Sequence, residues 1–121
     1  MDRLKFFYNE YEVLGEKRKS KEIDTSPENI LLYYFFEDFD EYMFEEYLPQ
    51  LEAVQKGELS FDEVEDGFWV FGEGVGNLYC DESTAYFEAQ KTGYDPNAPS
   101  IEMSMKELIR LLKKWQAFLL E

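Results

Sequence analysis

Residues 3–14, RLKFFYNEYEVL, open apolar and pass into partial alternation at Tyr11 and Val13. Their aromatic content favours an extended chain, so a strand is expected. The following stretch, GEKRKSKEIDTSPEN over 15–29, has no apolar periodicity. Gly15, a basic cluster (Lys17, Arg18, Lys19, Lys21) and the turn-prone DTSP give it the character of a solvated loop. ILLYYFF over 30–36 is a continuous apolar run. It is compatible with a buried strand, or with a helix capped by Ser26 with Pro27 in its first position. Its short length and ring content favour the strand.

From Phe39 the period changes. Phe39, Tyr42, Met43, Tyr47, Leu51 and Val54 recur at three- and four-residue steps, and Lys56-Gly57 supplies a stop. That pattern predicts an amphipathic helix near 38–56. Pro49 in its interior removes a hydrogen bond and clashes one turn back, so a kink or two abutting helices is expected there. Residues 59–90 then read as short strands at 59–64, 68–72, 77–81 and 84–89, with GEGVGN and DES as turns. KTGYDPNAPS is a loop and IEM a brief strand. SMKE has the form of a capping box, Ser104 capping and Glu107 reaching back, at the start of a last helix over 105–120. Leu108, Leu111, Leu112, Trp115, Phe118 and Leu119 form the buried stripe of that helix.

Strands, helix, several strands and a closing helix predict an α+β fold, a largely antiparallel sheet with two main helices packed on one face. A chain of 121 residues suits a single domain over 1–121. A hydrophobic content of 45%, with 18% aromatic, is too rich for a disordered acidic chain, even at a net charge of −15. The single Cys80 cannot form an internal disulfide and suits a reducing compartment. The N-terminal residues lack the apolar core of a signal peptide, and the run at 30–36 is too short to span a bilayer. The expected location is cytoplasmic, with no membrane partner.

The charge is unevenly placed. Residues 24–90 hold eighteen acidic residues and one basic residue, Lys56, a net of −17, whereas the segments on either side are each at +1. A solvated acidic surface is the plain explanation, but general solubility would spread acid along the chain. A one-sign face focuses field toward an oppositely charged partner and repels nucleic acid and anionic lipid. The densest part is FEDFDEYMFEEY over 36–47, where six carboxylates accompany five rings and no Lys or Arg. On a continuous helix, Glu37, Glu41 and Glu45 would stack at four-residue steps, each like-charge pair costing about 0.2–0.5 kcal/mol.

Catalytic chemistry finds little support. The chain contains no histidine, which removes the commonest general base and the Ser-His and Cys-His nucleophile pairs. One cysteine cannot build a zinc site. GEGVG fits a hairpin turn better than a phosphate cradle, because the spacing is wrong and no Lys-Ser/Thr follows. DEVEDG over 62–67 has Val64 at the third position of a would-be calcium loop and no glutamate at the closing position. A carboxylate pair for glycoside hydrolysis would be unremarkable among so many acids. A non-enzymatic protein without cofactor or metal is expected.

Three functions are open to such a chain: an inhibitor that docks an acidic, ring-bearing face onto a basic protein, an acidic scaffold or regulatory subunit for several basic proteins, and a small-ligand binder or enzyme. The first needs carboxylates where phosphates would sit and rings to fill pockets, and the middle segment supplies both. The candidate partner-binding residues are Glu37, Asp38, Glu41, Glu45, Asp62, Glu63, Glu65 and Asp66, with the rings Tyr42 and Trp69. EDFDEYMFEEYLPQLEAVQKGELSF, then GNLYCD among short strands, then IEMSMKELIRLLKKWQAFL closing on Trp115 to Leu119, resembles bacterial immunity proteins of polymorphic toxin systems, including contact-dependent growth inhibition. The resemblance covers residues 37–121 and lies in the order and spacing of elements. It implies a cytoplasmic, non-enzymatic protein, encoded beside its cognate toxin, that binds the toxin's C-terminal domain, often a DNase or RNase, and blocks its active site or a substrate-binding surface; a 1:1 complex is expected. It carries over no individual binding residue.

Overall fold

The computed structural model describes residues 3–64 and 69–121. Two ten-residue strands, β1 (Leu4–Val13) and β2 (Glu16–Thr25), pair antiparallel in register from Leu4 opposite Thr25 to Val13 opposite Glu16. The tight turn between them places Leu14 and Gly15 at φ 52° and 81°, the positive values that two-residue hairpin turns use to match the twist of the strands. The expected strand over 3–14 is present, but the expected loop at 15–29 is mostly β2. The reason is that this arm leaves the core almost at once. Only Ile23 on it is buried, so its polar sequence carries no alternation to mark a strand.

After a 3-10 turn at Pro27–Asn29, 30–36 forms a helix and not the expected strand: α1 is Ile30–Glu37. Pro27 starts the 3-10 turn, where a missing N–H is harmless. Leu31, Leu32, Phe35 and Phe36 are buried, and Tyr33 and Tyr34 are half-buried. A helix covered on most sides reads as a continuous apolar run, which periodicity cannot separate from a buried strand.

The expected helix over 38–56 is two short helices, α2 (Glu41–Glu46) and α3 (Leu48–Gln55). Asp40 caps α2 by accepting from the Met43 N–H at 2.9 Å. Tyr47 ends α2 and starts α3, so Pro49 falls in the first turn of α3, where it costs little. Two abutting helices thus resolve the proline conflict. Gly57, at φ 74°, follows the Lys56 cap as expected.

The stretch 59–64 is not a strand. Phe61–Glu63 form a 3-10 turn closed by a reciprocal capping box between Ser60 and Glu63. Phe61 and Val64 are buried at a spacing of three, where a strand would need two. A four-stranded antiparallel sheet follows, β3 (Trp69–Phe71), β4 (Gly76–Cys80), β5 (Thr84–Ala89) and β6 (Ile101–Ser104), ordered β3-β4-β5-β6. The turns at GEGVGN and DES fall where expected. The last helix, α4 (Met105–Leu119), begins at Ser104, whose hydroxyl accepts from the Glu107 N–H at 3.0 Å. The Glu107 carboxylate turns to Arg3 at 3.7 Å.

The architecture is α+β and antiparallel, as expected, with two helices packed on one face of the larger sheet, although the first of them is α1 and not the helix expected over 38–56. Trp69, Phe71, Leu78, Cys80, Ala85, Phe87, Ile101 and Met103 form the sealed face of the sheet. α1 and α4 lie on that face. Phe35 of α1 sits at its centre, with ring centroids 5.3–5.5 Å from Trp69, Phe71 and Phe87. Met105, Leu108, Leu111, Leu112 and Trp115 bury the inner stripe of α4, and Phe118 and Leu119 are half-buried. The foot of the β1–β2 ribbon joins this layer where Phe6 meets Trp115 at 4.9 Å. Among the described residues no helix is long and apolar enough to cross a membrane.

Candidate partner-binding surface

The alternation that seals one face of the sheet leaves the other uncovered. Val70, Asn77, Tyr79, Tyr86, Glu88 and Glu102 occupy the positions between buried residues and are exposed or half-exposed. The register aligns them in rows. Val70 pairs with Asn77 and Asn77 with Glu88, while Tyr79 pairs with Tyr86 and Tyr86 with Glu102. The Tyr79 and Tyr86 rings are 6.3 Å apart, and Phe61 meets Tyr79 edge-on at 5.5 Å. None of β3–β6 contains a Lys or Arg. At the edge of this face Arg3 donates to the Glu102 carbonyl at 3.2 Å.

At Val70 this open face runs into a groove between β3 and α2. The groove encloses about 600 Å³ and is lined by Asp38, Asp40, Tyr42, Met43, Tyr47, Trp69 and Val70. Its rings belong to one cluster. Trp69 lies 4.4 Å from Tyr47 and 5.9 Å from Phe39, and Tyr42 meets Tyr47 edge-on at 6.4 Å. Trp69 is only 8% exposed, whereas Tyr42 is 57% exposed. Asp38 accepts from the Gly72 N–H at 2.7 Å, which ties the end of α1 to the β3–β4 turn.

The structure divides the sequence candidates. Asp38, Tyr42 and Trp69 come together in the groove, with Trp69 as wall and part of the core. Glu41 and Glu45 are exposed on α2, the helix that carries Tyr42. Glu37 is exposed but belongs to α1, so the expected column of three glutamates on one helix does not exist. Glu37 instead faces Tyr33, whose phenol is pushed upward by burial, by the Glu37 charge and hydrogen bond, and by Glu22. Tyr42 does not help hold its helix to the core as its spacing suggested; Phe44, two residues on, is buried in its place. Asp62 and Glu63 are exposed on the 3-10 turn, where the Glu63 carboxylate is occupied by the Ser60 hydroxyl at 2.9 Å. Glu65 and Asp66 lie outside the described residues.

The open-face residues Val70, Tyr79, Tyr86, Glu88 and Glu102 were absent from the sequence candidates. The signal was present: in NLYC and TAYFEA the rings Tyr79 and Tyr86 stand out of phase with the buried Leu78, Cys80, Ala85 and Phe87. Cys80 itself faces inward, and burial, with a smaller contribution from Asp81, pushes its thiol up to about 12. Asp81 is held below the usual carboxylate range by the backbone N–H groups of Ser83 and Thr84 in the β4–β5 turn. Both groups act in the fold. Among the described residues no three carboxylates or thiols converge to hold a metal ion. No protein-family model, curated protein or solved structure matches the chain.

Proposed function

We propose that the protein is a cytoplasmic, non-enzymatic immunity protein that binds the C-terminal domain of a cognate bacterial toxin, a basic nuclease, in a 1:1 complex and neutralises it. The observation that carries this reading is the continuous surface formed by the uncovered face of β3–β6 and the β3–α2 groove. It combines exposed rings with carboxylates, and no Lys or Arg stands on its strands or lines its groove among the described residues. Rings supply contact area at low entropic cost, and unpaired carboxylates await a partner's cations. A nuclease domain offers such cations because it must hold phosphate. Steering by the net charge of −15 would speed capture of the toxin.

The test begins with the toxin gene neighbouring this one. Its C-terminal domain is co-expressed with this protein, and affinity is measured by calorimetry at low and physiological salt. Protection of cells and salt-sensitive 1:1 binding are expected. The triple charge reversal Glu41→Lys, Glu45→Lys and Asp62→Lys should weaken both. Binding and protection that survive the reversal unchanged would exclude α2 and the Phe61–Glu63 turn from the interface, and survival of Glu88→Lys and Glu102→Lys as well would exclude the open face of the sheet.

A further inference from the structure

We infer that the β3–α2 groove is a receptor for a single arginine side chain of the basic partner, whose guanidinium lies against Tyr42 and is held by the Asp38 and Asp40 carboxylates. This deepens the proposed function and rests on it for the source of the arginine. Each carboxylate is fixed by a backbone donor through one oxygen. Asp38 Oδ2 receives the Gly72 N–H at 2.7 Å, and Asp40 Oδ1 receives the Met43 N–H at 2.9 Å. These bonds explain why aspartates stand at those two positions. They do not explain why the groove between them is lined by rings, nor why no Lys or Arg lines it among the described residues.

The walls differ in availability. Trp69 and Tyr47 are buried and close the floor, while Tyr42 presents its ring to solvent at the rim. A volume of about 600 Å³ admits a long side chain together with its stem. The Met43, Tyr47 and Val70 side chains offer that stem an apolar lining. Arginine fits better than lysine on two counts. Its planar guanidinium stacks on a ring and presents a fork of donors to carboxylates, and it is more weakly hydrated than an ammonium group. Because the carboxylates are already anchored, little order is lost on the receptor side when the cation arrives.

The protein's two tryptophans allow a direct test. In ¹H–¹⁵N spectra of the full chain, Trp69 reports the groove, while Trp115, buried between β1 and α4, serves as an internal control. The probe is N-acetyl-arginine methylamide, with the neutral isostere N-acetyl-citrulline methylamide and the lysine analogue as comparisons. The arginine probe should move the Trp69 indole signal to saturation in roughly the millimolar range expected of a single side chain, and leave Trp115 in place. Citrulline should produce no saturable shift, and lysine should bind at least about threefold more weakly. Tyr42→Ala should weaken arginine binding about three- to tenfold, an unmoved Trp115 signal confirming that the variant is folded. An unmoved Trp69 signal, equal responses to arginine and citrulline, or an unaffected Tyr42→Ala protein would each overturn the inference. If the groove fails but the toxin domain still binds in a charge-reversal-sensitive way, the proposed function stands without this pocket. If arginine binds and the toxin domain does not, the pocket stands and the choice of partner falls.

Discussion

The two sheets of this protein use the same local geometry to opposite ends. β3–β6 seals one face, with Leu78 and Phe87 fully buried and opposite one another, and leaves Tyr79 and Tyr86 outward on the same two strands. The β1–β2 ribbon has longer strands, yet only Leu4 and Ile23 near its foot are buried. Phe7, Tyr8, Tyr11 and Val13 are all substantially exposed, and Leu14 at the tip is 100% exposed. Sealing a face makes a strand contribute to the core. A two-stranded ribbon far from the core depends on its turn and its cross-strand pairs, such as Glu10 opposite Lys19 and Glu12 opposite Lys17. Stability therefore resides in the sheet's inner rows, and surface chemistry in its outer rows and in the ribbon.

The largest expected effect breaks the inner row. Phe87→Ala removes a ring packed against Phe35 and Phe71 and should cost about 3–5 kcal/mol in urea unfolding. Phe7→Ala, the same change on the ribbon opposite Glu22, should cost about 0.5 kcal/mol or less. Equal losses would refute the division between the two sheets. The next effect runs the other way. Leu14 adopts φ 52°, a left-handed conformation that costs an L-residue with a bulky side chain roughly 1–2 kcal/mol and that asparagine tolerates better. Leu14→Asn should raise stability by about 0.5–1 kcal/mol, seen as a higher urea midpoint. A lower midpoint would mean that the Leu14 side chain supports the fold despite its exposure.

This division also explains what the sequence made legible. Where one face is sealed, burial writes its period into the residues: 77–81 and 84–89 read as strands, and 105–120 as a helix with Ser104 at its cap. β2 buried only Ile23 and so left no alternation, and α1 buried so much of its circumference that its helical period vanished into ILLYYFF. The turn at Phe61–Glu63 carried a signal that the strand reading passes over, Ser60 and Glu63 standing at the spacing of a capping box. At the candidate surface, the excess of acid between 24 and 90 was visible. The convergence of Asp38, Tyr42 and Trp69 depends on the fold of α2 against β3, a contact between segments more than twenty residues apart. The bond that ties Asp38 at the end of α1 to Gly72 in the β3–β4 turn likewise joins segments far apart in the chain.

A small effect on folding is the most informative about function. Tyr79 and Tyr86 face each other across β4 and β5 on the open face, with Glu102 completing the row. A cross-strand aromatic pair contributes about 0.2–1 kcal/mol, so Tyr86→Ala should lower stability by about 1 kcal/mol or less, and Tyr79→Ala by slightly more because its ring also meets the buried Phe61 edge-on. Either change leaves the inner rows intact, because Leu78, Cys80, Ala85 and Phe87 keep their contacts with the helices. If the open face is the docking surface, however, each ring is a buried anchor in the complex, and its removal should weaken toxin-domain binding by about 2 kcal/mol, roughly thirtyfold. Measuring the unfolding midpoint and the dissociation constant on the same two variants separates these quantities. Rings whose loss costs folding as much as binding belong to the core of the sheet; rings whose loss costs binding alone mark where the partner sits, and binding indifferent to both would confine the interface to the groove and α2.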